Sequence, residues 1–185
     1  MSDEWRVGDC GGAGTAMHEL IEELYPICRS ITGDGVRATL ARVGEEIALD
    51  VSEVPTGTQV LDWTVPREWN IRDAWIKNAA GERVVDFNRC NLHVVSYSTP
   101  VRRMVPRAEL DEHLHSLPEQ PGLIPYRTSY YSESWGFCVS ENQHKNRSSC
   151  LAKDCGNTRL AICVLASQPH AEYLAAQCNG NGGRR

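Results

Sequence analysis

The side chains able to do chemistry are few and scattered. His113 and His115 stand two apart, Cys90 and His93 three apart, and Cys150, Cys155, Cys163, His170 and Cys178 gather in the last stretch. A hydrolytic zinc site needs three or four such ligands at about 2.0 to 2.3 Å, with one position left for water. The region of His113 and His115 reads as helix, where residues two apart point to nearly opposite sides. Cys90 and His93 read as strand, where residues three apart face opposite ways. Neither pair is expected to grip an ion. The C-terminal set has suitable thiols and an imidazole, but its spacings match no known zinc knuckle. No catalytic residue and no metal ligand is assigned.

A nucleophile is equally hard to find. Cys28 lies beside Arg29, ten residues from His18, and nothing in the pattern brings a base to it, so it reads as a structural thiol. The adjoining run RSITGDGVR is richer. Gly33 and Gly35 permit unusual dihedrals, Asp34 can accept from amides at a helix start, and Arg29 and Arg37 suit bidentate grip of a carboxylate. Arg29, Asp34 and Arg37 are therefore the candidate substrate-binding residues. The commoner arrangement is a capped helix start with an ion pair between Asp34 and an arginine.

These residues must be carried by elements the pattern also predicts. Residues 1–14 are Gly-rich and read as disordered. Thr15 is placed to cap a helix whose Met17, Leu20, Ile21 and Leu24 make one core-facing stripe, ended by Pro26. A second helix is predicted from Asp34 to Ile47, with Val36, Leu40, Val43 and Ile47 on one side. Strands follow at Asp50 to Val54, Gln59 to Trp63, Asn70 to Lys77, Arg83 to Phe87 and Leu92 to Ser98, with a hairpin turn at Asn78 to Gly81. Pro106 to Leu117 reads as a short helix with proline in its first turn, and Tyr126 to Tyr131 and Gly136 to Ser140 as extended pieces. Trp63, Trp69 and Trp75 are spaced six apart. Pro66 breaks the count between the first two, but an unbroken strand would aim Trp69 and Trp75 at one side.

The 185 residues are 41% hydrophobic and carry a net charge of −5. That charge divides unevenly: residues 1–143 are acidic, whereas residues 144–185 are basic and hold half the cysteines. An acidic body argues against a nucleic-acid partner. No apolar run approaches the roughly 20 residues that cross a bilayer, and the start, MSDEWRVGDCGGAG, has no apolar signal core. Neither membrane nor nucleic acid is expected as a partner, and a cytoplasmic location is. Eight cysteines without a CxxC pair then read as reduced, buried thiols.

Four segments carry a resemblance: YPICRSITGDGVRATL at Tyr25 to Leu40, LDWTVPREWNIRDAWIKN, NLHVVSYSTPV at Asn91 to Val101, and LPEQPGLIPYRTSYYSESWGFCVSENQ at Leu117 to Gln143. In this order they resemble the N-terminal part of bacterial aminopeptidase-like proteins, a domain-of-unknown-function family with a zinc-aminopeptidase fold. The resemblance implies an α/β fold (α+β in a truncated chain). Residues 15–48 would be the opening helices of the core, 49–128 an inserted β-rich domain, and 129–143 the return to the core. It also implies zinc-dependent hydrolysis at a peptide N-terminus for full-length relatives. Their metal-binding stretch, similar to HxCHPxxAN, has no counterpart here, so this chain alone is expected to hold no zinc and not to be catalytic. After Gln143 the likeness stops. A shifted reading frame or early stop is the first explanation for 144–185, and a divergent segment the alternative; Leu160 to Ala166 reads as a strand or helix. A reading from a different class is a non-catalytic β-rich binding or oligomerisation module, with Tyr97, Tyr126, Tyr130, Tyr131 and Trp135 as an aromatic face. Oligomeric state is not legible.

Overall fold

The computed structural model describes residues 11–129, 132–146, 159–167 and 172–178. Its elements mix helix and strand, in agreement with the α/β class. The centre is a four-stranded sheet in the order β5 (Arg83–Asp86), β4 (Asn70–Lys77), β9 (Arg159–Ser167), β6 (Val101–Pro106), antiparallel throughout. Ile76, Val85, Leu160, Ile162 and Val105 project from it into a core completed by Leu110, Phe137 and Val139, each at most 1% exposed. The β4–β5 connection is the predicted hairpin: Asn78 Oδ1 accepts from the amides of Ala80 and Glu82, and Gly81 supplies a φ of 82°.

The largest departure from the sequence reading lies in the basic C-terminal stretch. β9 is the strand between β4 and β6, so the sheet crosses the boundary drawn at residue 144. β10 (Glu172–Cys178) pairs in turn with β1 (Leu49–Pro55). Buried Leu160, Ile162, Cys163 and Val164 give β9 the nearly continuous apolar run of a strand covered on both faces.

The first helix, α1 (Gly11–Leu24), begins before Thr15, which lies inside it. Residues 11–14 are thus helical rather than disordered, and residues 1–10 lie outside the described residues. Its stripe does not face a core: Met17 and Ile21 are 61% and 63% exposed. The second, α2 (Asp34–Gly44), stops short of Ile47 and has no buried residue. Gln59 to Trp63 is not one strand but a tight hairpin of β2 (Gln59–Val60) and β3 (Trp63–Thr64), with Leu61 at a φ of 53°. Leu92 to Ser98 is buried but irregular, starting with a 3-10 turn at Asn91–His93 and making single bridges from Val94 and Ser96.

Helix α3 is only Arg107–Glu112, with Pro106 as its N-cap. The chain then turns through His113 into β7 (Leu114–His115), which pairs in parallel with β8 (Phe137–Cys138). A last short helix, α4 (Glu141–Lys145), opens on a capping box: Ser140 Oγ accepts from the Gln143 amide, and the Gln143 side chain accepts from the Ser140 amide.

Candidate functional site

The run RSITGDG is built into the fold at the junction of α2 with the start of β4. Gly33 adopts a φ of 97°, and a Cβ there would stand 2.5 Å from the Trp69 carbonyl oxygen. A Cβ on Gly35 would overlap the Cys28 carbonyl oxygen. Both positions therefore require glycine, one for dihedral and approach, the other for approach alone. Thr32, 2% exposed, shares a 2.6 Å hydrogen bond with the Tyr97 hydroxyl and accepts from the Trp69 amide at 3.2 Å. Asn70 Oδ1 accepts from the Asp34 amide at 2.7 Å. Trp69 stacks on Tyr97 with centroids 5.7 Å apart and donates its indole N–H to the Ser98 carbonyl.

The three candidate substrate residues have separate duties. Arg37 gives both terminal nitrogens to Glu68, at 2.9 and 2.8 Å, and lies 3.5 Å from Asp34 and 3.4 Å from Glu53. Those hydrogen bonds hold the Glu68 carboxyl below the usual carboxylate range and raise Arg37 further. Arg29 donates to the Leu24 carbonyl and to Thr39. Asp34 is the first residue of α2 and its side chain is 83% exposed, while Gly33 holds the N-cap without a side-chain bond. The ion-pair arrangement is thus present, whereas the clamp would require Arg37 to leave Glu68.

Beside this junction lies a cavity of about 170 Å³, walled by Cys28, Ser30, Trp69, Asn70, Arg72 and Ser167 among others. A more open groove of about 550 Å³ adjoins it, sharing Cys28 and Ile71 and extending over Phe87, Arg89 and Cys90. Arg72 was not singled out from sequence. It is the extra residue of a β-bulge, since Ile71 pairs with Ala166 and Asp73 with the next residue of β9, Leu165. The same bulge breaks the parity that put Trp69 and Trp75 on one side. Trp69 is buried in the core, while Trp75 is half-buried on the other face beneath Lys77 and Arg83.

The histidine pairs are explained differently from the sequence reading. α3 ends before His113, so helical geometry is not what separates it from His115. The His113 ring stacks on Trp135 with centroids 3.7 Å apart and hydrogen-bonds the Trp135 carbonyl. His93 belongs to a 3-10 turn, not a strand, and its Nδ1 engages the Cys138 carbonyl at 2.7 Å. Burial pushes the Cys28 thiol up and Cys138 up to about 11, so both stay protonated at neutral pH. Among the described residues no group of three or more His, Cys, Asp or Glu side chains is placed to hold a metal. Of the C-terminal set, Cys163 is sealed in β9, and Cys150, Cys155, His170 and the Cys178 side chain lie outside the described residues.

A serine–histidine–aspartate series does arise where none was read. His144 Nδ1 is 3.2 Å from Ser116 Oγ, and its Nε2 is 3.4 Å from Asp111. Ser116, however, donates its one proton to Glu141 at 2.6 Å, and Asp111 is held by buried Arg107 at 2.6 Å. The hydroxyl is therefore not activated by the imidazole. The network ties α4 to α3, and its members are too distant in sequence for local spacing to reveal it.

Residues 68–149 match the family described as Domain of unknown function (DUF2172). A Clostridium acetobutylicum protein called "Putative polysaccharide biosynthesis protein with aminopeptidase-like domain" is 52% identical over 130 residues, 70% of this chain and 30% of that protein. A crystal structure described as that of a "putative peptidase" from the same organism matches with a TM-score of 0.80 and 42% identity, covering 89% of this chain and 37% of the other. The chain is thus a relative of aminopeptidase-like proteins, as its four segments implied. It spans about a third of the length of the relatives it matches.

Proposed function

We propose that this chain is the N-terminal, non-catalytic part of an aminopeptidase-like protein of the cytoplasm, in which zinc-dependent peptide hydrolysis depends on residues outside it. The observation carrying this reading is the state of the two N-terminal helices. Met17, Ile21 and, just after α1, Tyr25 are 61 to 77% exposed, and no residue of α2 is fully buried, as expected of helices shaped to lie against further protein. The described residues do not fit a zinc ion, so no hydrolytic step is assigned to them. A peptide is the substrate class that the likeness to a "putative peptidase" supports for the complete protein.

The test combines metal analysis of the purified chain with leucyl-anilide hydrolysis. Substoichiometric zinc and no turnover above blank are expected, and one zinc per chain with measurable hydrolysis would overturn the proposal. The alternative, a β-rich binding module with an aromatic face, loses Tyr97 to the core at 4% exposure and half of Trp135 to His113. Tyr126 is exposed, and Tyr130 and Tyr131 lie outside the described residues.

A further inference from the structure

The cavity beside Arg72 and the groove over Phe87 differ in chemistry and adjoin each other. Cys28 and Ile71 wall both. The cavity offers hydroxyls and a cation. Ser30 Oγ accepts from Ser96 Oγ at 3.4 Å, which leaves its own proton for the interior. Neither the Ser167 nor the Arg72 side chain has a hydrogen bond or ion pair to another described residue. The bulge in β4 adds a residue at Arg72, a device that re-aims a side chain next to a site. Against this polar end, the groove presents Ile71, Phe87 and Pro26, with Arg89 as a second cation.

We infer that the two form one binding site for a small carboxylate with an apolar side chain, the carboxylate held by Arg72 and the side chain laid on Ile71 and Phe87. Arginine matches a carboxylate with two parallel donors, and it retains its charge at every relevant pH. Cys28, at the seam, stays a neutral thiol because burial raises its pKa, so it does not repel an anion. Asp34, the acidic residue of the cavity wall, has a side chain that is 83% exposed, so solvent screens its charge. Sites for small ligands commonly join an apolar surface to a few fixed polar groups in this way. Two sources share this chemistry: a free apolar amino acid and the C-terminal residue of a peptide. The inference goes beyond the peptidase reading and needs no turnover.

An NMR titration of the whole chain with L-leucine, N-acetyl-L-leucine, L-leucinamide and acetate tests it. At least one of the two leucine acids is expected to saturate and to shift amides of Ser30, Ile71 and Arg72. Preference for N-acetyl-L-leucine assigns a peptide end, and preference for L-leucine a free amino acid. Leucinamide, lacking the carboxylate, and acetate, lacking the side chain, should each bind about tenfold more weakly or worse. Arg72→Gln should weaken the preferred acid about tenfold and leave leucinamide unchanged, whereas Arg67→Gln, which is not part of the cavity wall, should change neither. Both arginines are exposed, so the variants fold. Equal binding of acid and amide, equal binding of leucine and acetate, an unchanged Arg72→Gln, or no saturation by either acid would each sink the inference.

Discussion

In the four-stranded sheet Ile76, Val85, Leu160 and Ile162 are at most 1% exposed, whereas in and just after α1 Met17, Ile21 and Tyr25 stand 61 to 77% exposed. Both regions contribute large apolar side chains. The difference is the partner: each strand of the sheet finds neighbours within this chain, while Met17 and Ile21 of α1 find none that covers them among the described residues. Amphipathic periodicity thus reports that a face is meant to be covered, without saying by what.

The sharpest way to break this comparison is in the core that the sheet shares with β8. Phe137 is fully buried, and its edge-on ring contact with Trp135 closes the core. Phe137→Ala should cost about 3 to 5 kcal/mol in urea unfolding, through lost transfer energy plus the residual cavity. A loss below about 1 kcal/mol would mean that the core is loosely packed and the contrast with the helices is overstated.

The junction between the two regions comes next. Glu68, 4% exposed, takes both Arg37 terminal nitrogens and is the main polar tie from α2 to the segment leading into β4. Glu68→Gln should cost about 1.5 kcal/mol, less than a fully buried pair because Arg37 is one-third exposed. The pH sign follows from the lowered Glu68 pKa. The unfolded carboxyl protonates first, so the stabilisation is complete above the ordinary carboxylate range and is lost as pH falls through the depressed folded value. Acid unfolding of the variant should lack that component.

Much of this was readable in advance because it is local. The hairpin at Asn78 to Gly81, the strand Asn70 to Lys77 and the start of α2 at Asp34 all follow from turn chemistry and periodicity acting over a few residues. What was not readable depends on partners far along the chain. The bulge at Arg72 exists only in register with β9, so parity put Trp75 on the wrong face and passed over Arg72. Leu160 to Ala166 reads as a strand or helix and is a strand, but its place between β4 and β6 is obscured by the basic, cysteine-rich composition around it. The Ser116–His144–Asp111 series and the true partner of Arg37, Glu68, lie 28 to 33 positions apart, beyond any spacing rule.

A gentler probe uses the buried imidazole of the sheet region. Burial holds His93 below its ordinary 6.5, with the Cys138 hydrogen bond opposing. The unfolded chain therefore takes up that proton first, and stability should fall as pH drops below about 6.5 toward the depressed folded value. Urea midpoints between about pH 7.5 and 5 should decline in the native chain and more shallowly in His93→Gln. A residual slope is expected from His115, which burial also lowers. Parallel slopes would mean that His93 is as wet as the helical face.

The smallest expected effect is the one that most directly tests whether the helices lack a partner. Ile21→Lys places a charge on the apolar stripe of α1, where the native side chain is 63% exposed. If no element of this chain covers that stripe, the change should stay within about 0.5 kcal/mol, because Lys and Ile differ little in helix propensity and no packing is lost. The same substitution in a full-length relative should be far more costly, since a lysine there would be driven against whatever covers the helix. A loss above about 1.5 kcal/mol in this chain alone would place α1 in its core and remove the main support for a larger assembly.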